Sequence, residues 1–296
     1  MSTLALLPGA LGALSLLLHL ASTCTMMARL RRRTESPDVL PGISIIRPVC
    51  GIDNFARETL SSGFQLDYPD YELLFCVAAA GDPVVPLVQT LIAAHPHVPA
   101  RLLVGNDPVS PNPKLNNTVK GFRAARHRWI VMADSNVLMP PDYLQQLLSA
   151  WRPDCGLVCS PPAGGAPRGL WAELECAFLN TYQARWQCFA DSIGLGFAQG
   201  KTMLWRRDIL EAGGGIEALG DELAEDAAAT KLVRRQGLRV RLVDAPFLQP
   251  LGRRTAVEVW QRQLRWARLR RDTFRVFFLP ELLAGGLPPL IACAVM

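Results

Sequence analysis

The sequence predicts an α/β domain of mostly parallel sheet carried on an N-terminal membrane helix, and three observations carry that prediction. From residue 43 onward, short aliphatic runs alternate with segments of helical spacing. Residues 4–27 contain no Asp, Glu, Lys or Arg. The arginines gather in two places, RLRRR at residues 29–33 and the stretch 253–275, and each cluster flanks an apolar segment.

The first element is the uncharged stretch of residues 4–27, with His19 its one imidazole. A helix of about 20 such residues crosses the roughly 30 Å hydrocarbon layer. In a cleaved signal peptide the positive residues would precede the apolar run; here Arg29, Arg31, Arg32 and Arg33 follow it. They are expected on the cytoplasmic side, with the N-terminus outside and everything after Ala28 in the cytoplasm. That compartment keeps the eight cysteines reduced. Their spacing offers no zinc pattern, so all are expected to be small buried apolar residues.

After the linker TESPDVLPG, the runs ISIIRP (43–48), YELLFCV (71–77), ARLLV (100–104), WIVMA (129–133) and GLVCS (156–160) predict strands buried on both faces. Between them ARETLSSGFQL, VVPLVQTLIAAH, NNTVKGFRAARH and PDYLQQLLSAW predict helices. Strands alternating with helices place ligands at the carboxyl ends of the strands. Neither GxGxxG nor GxxxxGK[ST] occurs, which excludes the usual dinucleotide and P-loop sites. The net charge of +5 comes without a nucleic-acid motif, and the arginine clusters suit phospholipid headgroups better. The order is then a membrane anchor (1–28), a cytosolic domain (29–250), an amphipathic interface helix (251–275), and the start of a membrane or interface region (276–296), read as truncated.

Certain polar residues fall at the strand ends. Asp82 comes shortly after YELLFCV, where it serves either as a turn former or as a ligand. Asp134 follows WIVMA directly, and with Asn136 it offers two hard oxygens suited to a divalent cation. Glu225 and Asp226 open a helix, a position the helix dipole favours for acids without any chemistry. In RQLRW, helical spacing puts Arg262, Arg265 and Trp266 on one face. That face is either a solvated basic surface near anionic lipid or a set of converging guanidinium forks.

In this order the residues resemble the pattern of inverting, membrane-anchored GT-A glycosyltransferases: an isolated Asp (Asp82), a DxD-like Asp (Asp134), an ED pair (Glu225, Asp226) and a closing [QR]xxRW (Arg262, Arg265, Trp266). Within them the chain resembles the ceramide glucosyltransferase family through LDYPDYELLFCV, the following GDP, NPKLNN, the ADS stretch, AEDAAATKL and RQLRWARLR. The likeness runs over almost all of residues 43–271.

The resemblance implies a GT-A fold and transfer of a hexose, glucose first, from a UDP-sugar to the primary hydroxyl of ceramide, giving a β-linked product. It implies Asp226 as the general base, Asp82 near the uridine, and Lys114, Asn116 and Asn117 beside the nucleotide or sugar. Gly200, Lys201, Thr202 and Glu225 would line the donor and acceptor pocket. Mg²⁺ or Mn²⁺ would be held by Asp134 and Asn136, and Arg262, Arg265 and Trp266 would clamp the diphosphate. One departure is Asn136, where many relatives of the wider superfamily carry a second acid; its carbonyl can still coordinate, with less charge. The Ala, Arg, Leu and Pro richness suggests a GC-rich bacterium, hence its cytoplasmic membrane, and leaves hopanoid or diacylglycerol as other acceptors. A non-catalytic membrane scaffold and a processive polysaccharide synthase are the remaining alternatives, the second lacking the membrane spans that a polymer channel needs.

Overall fold

β1 (Ile43–Pro48) and β2 (Tyr71–Val77) are buried at every position, as uninterrupted aliphatic runs require when helices cover both faces of a sheet. The side chains of these strands alternate between two cores. Ile43, Ile45, Leu73 and Phe75 enter one, while Ile46, Leu74 and Cys76 enter the other. The computed structural model describes residues 3–32, 37, 39–276, 278 and 290. Arg33, much of the expected linker and all but three residues of the expected C-terminal region 276–296 lie outside the described residues.

The main sheet has seven strands in the order β3-β2-β1-β4-β7-β5-β8, adding β3 (Ala100–Val104), β4 (Trp129–Ala133), β5 (Cys155–Cys159), β7 (Thr202–Arg206) and β8 (Arg239–Leu242). All pairings are parallel except those of β7, which runs antiparallel between β4 and β5, with Met132 opposite Met203. Reversal exchanges the ends of β7, so its beginning lies at the rim where the parallel strands finish. β3 departs from the expected double burial, because as the edge strand it is covered less completely.

Four helices connect the first part of the sheet: α2 (Ala56–Ser62), α3 (Val85–Ala94), α4 (Pro113–Ala124) and α5 (Tyr143–Ser149). A second, two-stranded parallel sheet pairs β6 (Ala163–Arg168) with β9 (Leu248–Arg253). Each of its strands feeds a helix, β6 leading into α6 (Leu170–Phe178) and β9 into α10 (Ala256–Thr273). α6 continues through a π turn (Leu179–Ala184) into α7 (Arg185–Ser192), while α8 (Arg207–Ala212) and α9 (Glu225–Arg235) follow β7.

The N-terminal helix α1 (Thr3–Leu30) is, among the described residues, the one helix long and apolar enough to cross a membrane. Its C-terminal half is docked on α7. Arg185 donates to the His19 carbonyl (3.2 Å) and the Ser22 hydroxyl (2.8 Å), and Arg29 donates to Asp191 at 2.7 Å with both side chains about 6% exposed. Arg29 also donates to the carbonyls of Leu242 and Val243. The expectation that Arg29 faces lipid headgroups is therefore corrected: it is buried against the domain, because Asp191 supplies the counter-charge that makes burial tolerable. The cysteine expectation is corrected as well. Cys76, Cys155, Cys159 and Cys188 are buried, but Cys24 and Cys50 are exposed and Cys176 is intermediate.

Candidate active site

Four chain segments meet at the carboxyl rim of the sheet, and each brings a charge. Asp134 leaves the end of β4, and its backbone N–H donates to the Lys201 carbonyl (3.0 Å) at the start of β7. Lys114 lies in the first turn of α4, behind the Asn112 side chain that caps the helix. Glu225 and Asp226 occupy the first turn of α9. Together they form a closed network. The Lys114 ammonium is 2.5 Å from Asp134 Oδ1 and 2.6 Å from Glu225 Oε1, and it donates to the Gly200 carbonyl at 2.7 Å. Lys201 Nζ is 2.8 Å from Asp134 Oδ2 and 3.3 Å from Asn136 Oδ1. Asn112 donates to the other oxygen of Glu225 (2.7 Å), and the Gly200 N–H donates to Asp226 Oδ2 (3.1 Å).

The shared environment separates the two aspartates. Burial opposes ionisation of Asp134, yet the Lys114 and Lys201 ammoniums override it and hold the carboxyl down to about 2. Burial likewise opposes the charge of Lys114, but Asp134 and Glu225 outweigh it and keep the amine above its ordinary value. Asp226 goes the other way, pushed up to about 6 by burial and then by the neighbouring Glu225 carboxylate, with Lys114 pulling in opposition. One carboxylate is thus fixed as an anion while its neighbour becomes a stronger base, the separation that acid–base chemistry uses. A Cβ on Gly200 would lie 2.6 Å from Glu225 Oε1 and 3.0 Å from Lys114 Nζ, so a side chain there would displace the ends of two members of the network.

Below this network lies Arg47, which the sequence reading passed over. It is fully buried and donates to the carbonyls of Thr59 (2.7 Å), Asp134 (3.1 Å), Ser135 (3.0 Å) and Val137 (3.0 Å). Burial lowers its pKa to about 10, so it stays charged and ties down the loop that presents Asp134 and Asn136. Its one sequence signal is a charge inside the aliphatic run ISIIRP.

Other predicted residues lie around the network. Asp82 accepts from the Gly51 N–H (2.9 Å) and the Val84 N–H (2.9 Å), joining the loops that follow β1 and β2. Asn116 and Asn117, expected beside the nucleotide or sugar, are instead buried with their amides committed to backbone. Asn116 braces Val109 and Ser110, and Asn117 donates to the carbonyls of Val49 and Cys76. Thr202, expected in the pocket, is buried with its hydroxyl 3.0 Å from that of Tyr143. In this arrangement the three side chains brace the loops around the network, each with its polar atoms hydrogen-bonded within the fold.

RQLRW lies on α10, and among the described residues no hydrogen bond or ion pair joins it to the acidic network. Arg262 pairs with Glu175 of α6 at 2.7 Å, a carboxylate with no exposed surface, and Arg254 Nε stands 3.7 Å from the same group. Arg265 is exposed and Trp266 half-buried. Glu175, another residue missed, stands out in sequence only as an acid inside LWAELECAF.

No cluster of three or more His, Cys, Asp or Glu suited to a metal occurs among the described residues. The oxygens of Asp134 and Asn136 nevertheless converge on one positive centre, the Lys201 ammonium. That convergence fits the pair to a cation whose other ligands come from elsewhere, such as phosphate oxygens.

Comparison with known proteins gives concordant results. The model of the family described as Glycosyl transferase family 21 matches residues 14–296. Ceramide glucosyltransferase 1 of Caenorhabditis elegans is 29% identical over 279 residues, covering 94% of this chain and 58% of its own length. The ceramide glucosyltransferase of Komagataella phaffii is 28% identical over 299 residues, covering 81% of this chain and 59% of its own. The chain thus spans a little under three-fifths of the length of these relatives. Among solved structures, the mannosyltransferase PcManGT from Pyrobaculum calidifontis, in complex with GDP-Man and Mn²⁺, aligns with a TM-score of 0.56 at 17% identity, covering 97% of this chain and 90% of that one. The likeness identifies the fold as that of a GT-A glycosyltransferase.

Proposed function

Because the chain belongs to glycosyl transferase family 21, we propose that it carries the catalytic domain of an inverting enzyme that transfers glucose from UDP-glucose to the primary hydroxyl of ceramide, leaving a β-linked glucosylceramide. The observation that carries this reading is the closed network of Lys114, Asp134, Lys201 and Glu225 with Asp226 at its edge. A group-transfer site needs a base for the acceptor hydroxyl and a concentration of positive charge for the departing diphosphate, and this network supplies both.

Asp226 takes the hydroxyl proton as the oxygen attacks the anomeric carbon and the bond to UDP breaks on the opposite face. Its raised pKa leaves it ionised at neutral pH and more basic than an ordinary aspartate. With one base and no carboxylate nucleophile in use, attack inverts the configuration, so an α-linked donor gives a β-linked product. Lys114 and Lys201, each now bonded to Asp134, would turn part of their hydrogen bonding to the β-phosphate as it gains charge. When bound by Asp134, Asn136 and the diphosphate, Mg²⁺ or Mn²⁺ would add Lewis-acid stabilisation of the leaving group. Asp82 would stand near the uridine. The Glu175 pair anchors α10 through Arg262, leaving Arg265 as the guanidinium for the diphosphate and Trp266 to wall the pocket.

The same reading makes α1 a span of a bacterial cytoplasmic membrane with the domain on the inner face, where a lipid acceptor arrives from the leaflet. The test is a transfer assay on detergent-solubilised protein, offering UDP-glucose, UDP-galactose and UDP-N-acetylglucosamine against ceramide, diacylglycerol and hopanoid, with and without Mg²⁺ or Mn²⁺. β-Glucosylceramide is the expected product. Glycosylation of another lipid would retain the chemistry and replace the acceptor, whereas UDP binding with no transfer to any lipid would sink the enzymatic reading.

A further inference from the structure

We propose that the Lys201 ammonium is an internal counter-cation that occupies the Asp134–Asn136 pair, so that the pair opens to a divalent ion only once a diphosphate has drawn Lys201 away. The inference rests on the reading of Asp134 and Asn136 as cation ligands, and it assigns to Lys201 the order in which nucleotide and metal bind.

The backbone sets the arrangement. β4 and β7 are antiparallel neighbours with Ala133 opposite Thr202, and the Asp134 N–H donates to the Lys201 carbonyl (3.0 Å), so the two residues leave the sheet side by side. Lys201 Nζ reaches Asp134 Oδ2 at 2.8 Å and Asn136 Oδ1 at 3.3 Å, the two side chains that offer oxygens to a cation. The other oxygen of Asp134 is held by Lys114 at 2.5 Å. Both oxygens of the one carboxylate in the pair therefore carry an ammonium. Lys114 and Lys201 also balance Asp134 and Glu225 charge for charge, which leaves no net negative charge among these four groups to attract a dication.

One group has to move before a dication can use the pair, and the contacts identify it. The loop carrying Asp134 and Asn136 is pinned from below, because the buried Arg47 donates to the carbonyls of Asp134, Ser135 and Val137. Lys114 is held by three acceptors, Asp134, Glu225 and the Gly200 carbonyl. Among the described residues Lys201 has two, and one of them is the neutral amide of Asn136 at 3.3 Å. Its four-carbon stem lets the ammonium swing while the backbone stays in register. Lys201 is thus the least firmly held of the three. A dication and an ammonium repel strongly at contact distance, so they exclude one another from Asp134 Oδ2. A diphosphate offers the ammonium a charged acceptor of its own, and a lysine–phosphate contact returns the oxygens of the pair to a metal.

The experiment is a Mn²⁺ titration of the full chain in detergent, followed by the electron paramagnetic resonance of the free ion, with and without UDP and against a UDP-only blank. Lys201→Met should raise the Mn²⁺ affinity of the nucleotide-free protein by at least about tenfold. Lys201→Gln, a second neutral variant, should behave in the same way, whereas Lys201→Arg keeps the charge and should stay near wild type. Adding Asp134→Asn to Lys201→Met should cancel the gain, which locates it at this carboxylate rather than in a general loosening of the fold. UDP should raise Mn²⁺ affinity by a larger factor in wild type than in Lys201→Met, since the variant has no ammonium to displace. Equal Mn²⁺ affinity of wild type and both neutral variants without UDP would overturn the proposal, and with UDP binding intact it would leave the transferase reading standing. Failure of UDP to bind wild type would overturn the proposed order of binding and the transferase reading together. Mn²⁺ bound by no protein under any condition would remove the cation site itself, and the role of Lys201 with it.

Discussion

At the scale of single residues, the proposed chemistry turns on two aspartates whose acidities the fold pushes apart. Asp226 binds its proton more tightly in the fold than in the unfolded chain, so its contribution to stability is present at low pH and is lost as pH rises through about 6. Asp134 has the opposite sign, contributing above the ordinary carboxylate range and losing that contribution only as pH falls toward 2. Activity should follow Asp226, with turnover rising as pH increases through about 6 and then levelling. Asp226→Asn should lower turnover by at least about 10²-fold and abolish that limb. It should leave UDP affinity nearly unchanged, and above about pH 6 melting should be no lower than in wild type, since a buried charge has been removed. Steady-state kinetics and thermal melts across pH check both halves, and full turnover in the variant would remove Asp226 from the role of base.

Elements reveal how far the site could be read from sequence. The rim positions of Asp134, Glu225 and Asp226 were legible because each stands directly at the end of a strand or the start of a helix, whereas Gly200 and Lys201 precede β7 and only the family resemblance pointed to them. Arg47, Glu175 and Arg29 were not legible. Each is a buried charge with a partner 87, 87 and 162 residues away respectively, and spacing along one chain carries no information about such pairing. The bracing contacts of Asn116, Asn117 and Thr202 were hidden for the related reason that polar residues near a rim look alike until their hydrogen bonds are known. The Arg29–Asp191 pair allows a test of how α1 and α7 are joined. Asp191→Ala should leave the buried guanidinium with only the longer contact to Asp244 (3.5 Å) as counter-charge and cost about 3 kcal/mol. The double replacement Arg29→Met with Asp191→Leu should recover most of that loss. Thermal melting of the four proteins in one detergent measures the cycle, and additive losses would show that the pair is not coupled.

On the scale of the whole molecule, the fold holds the long apolar helix α1 through buried contacts at Arg29 and Arg185. The alternation of strands and helices was visible from the aliphatic runs, but the antiparallel β7 and the small β6–β9 sheet were not. β6 reads AGGAPR and β9 reads LQPLGR, and neither has the β-branched composition by which strands announce themselves. These pieces start α6 and α10 together.

The docking of α1 on α7 has a mechanical consequence. The contacts of Arg29 with Asp191 and of His19 with Arg185 fix α1 rigidly on the domain at two points ten residues apart, about 15 Å at 1.5 Å per residue. If α1 spans a bilayer as proposed, a helix clamped in this way would act as a gauge rod that sets the height of Asp226 above the leaflet. In nanodiscs of graded acyl length, turnover on a lipid acceptor should then change with bilayer thickness, while UDP affinity stays constant. Equal turnover across the series would mean that the rod does not set the height.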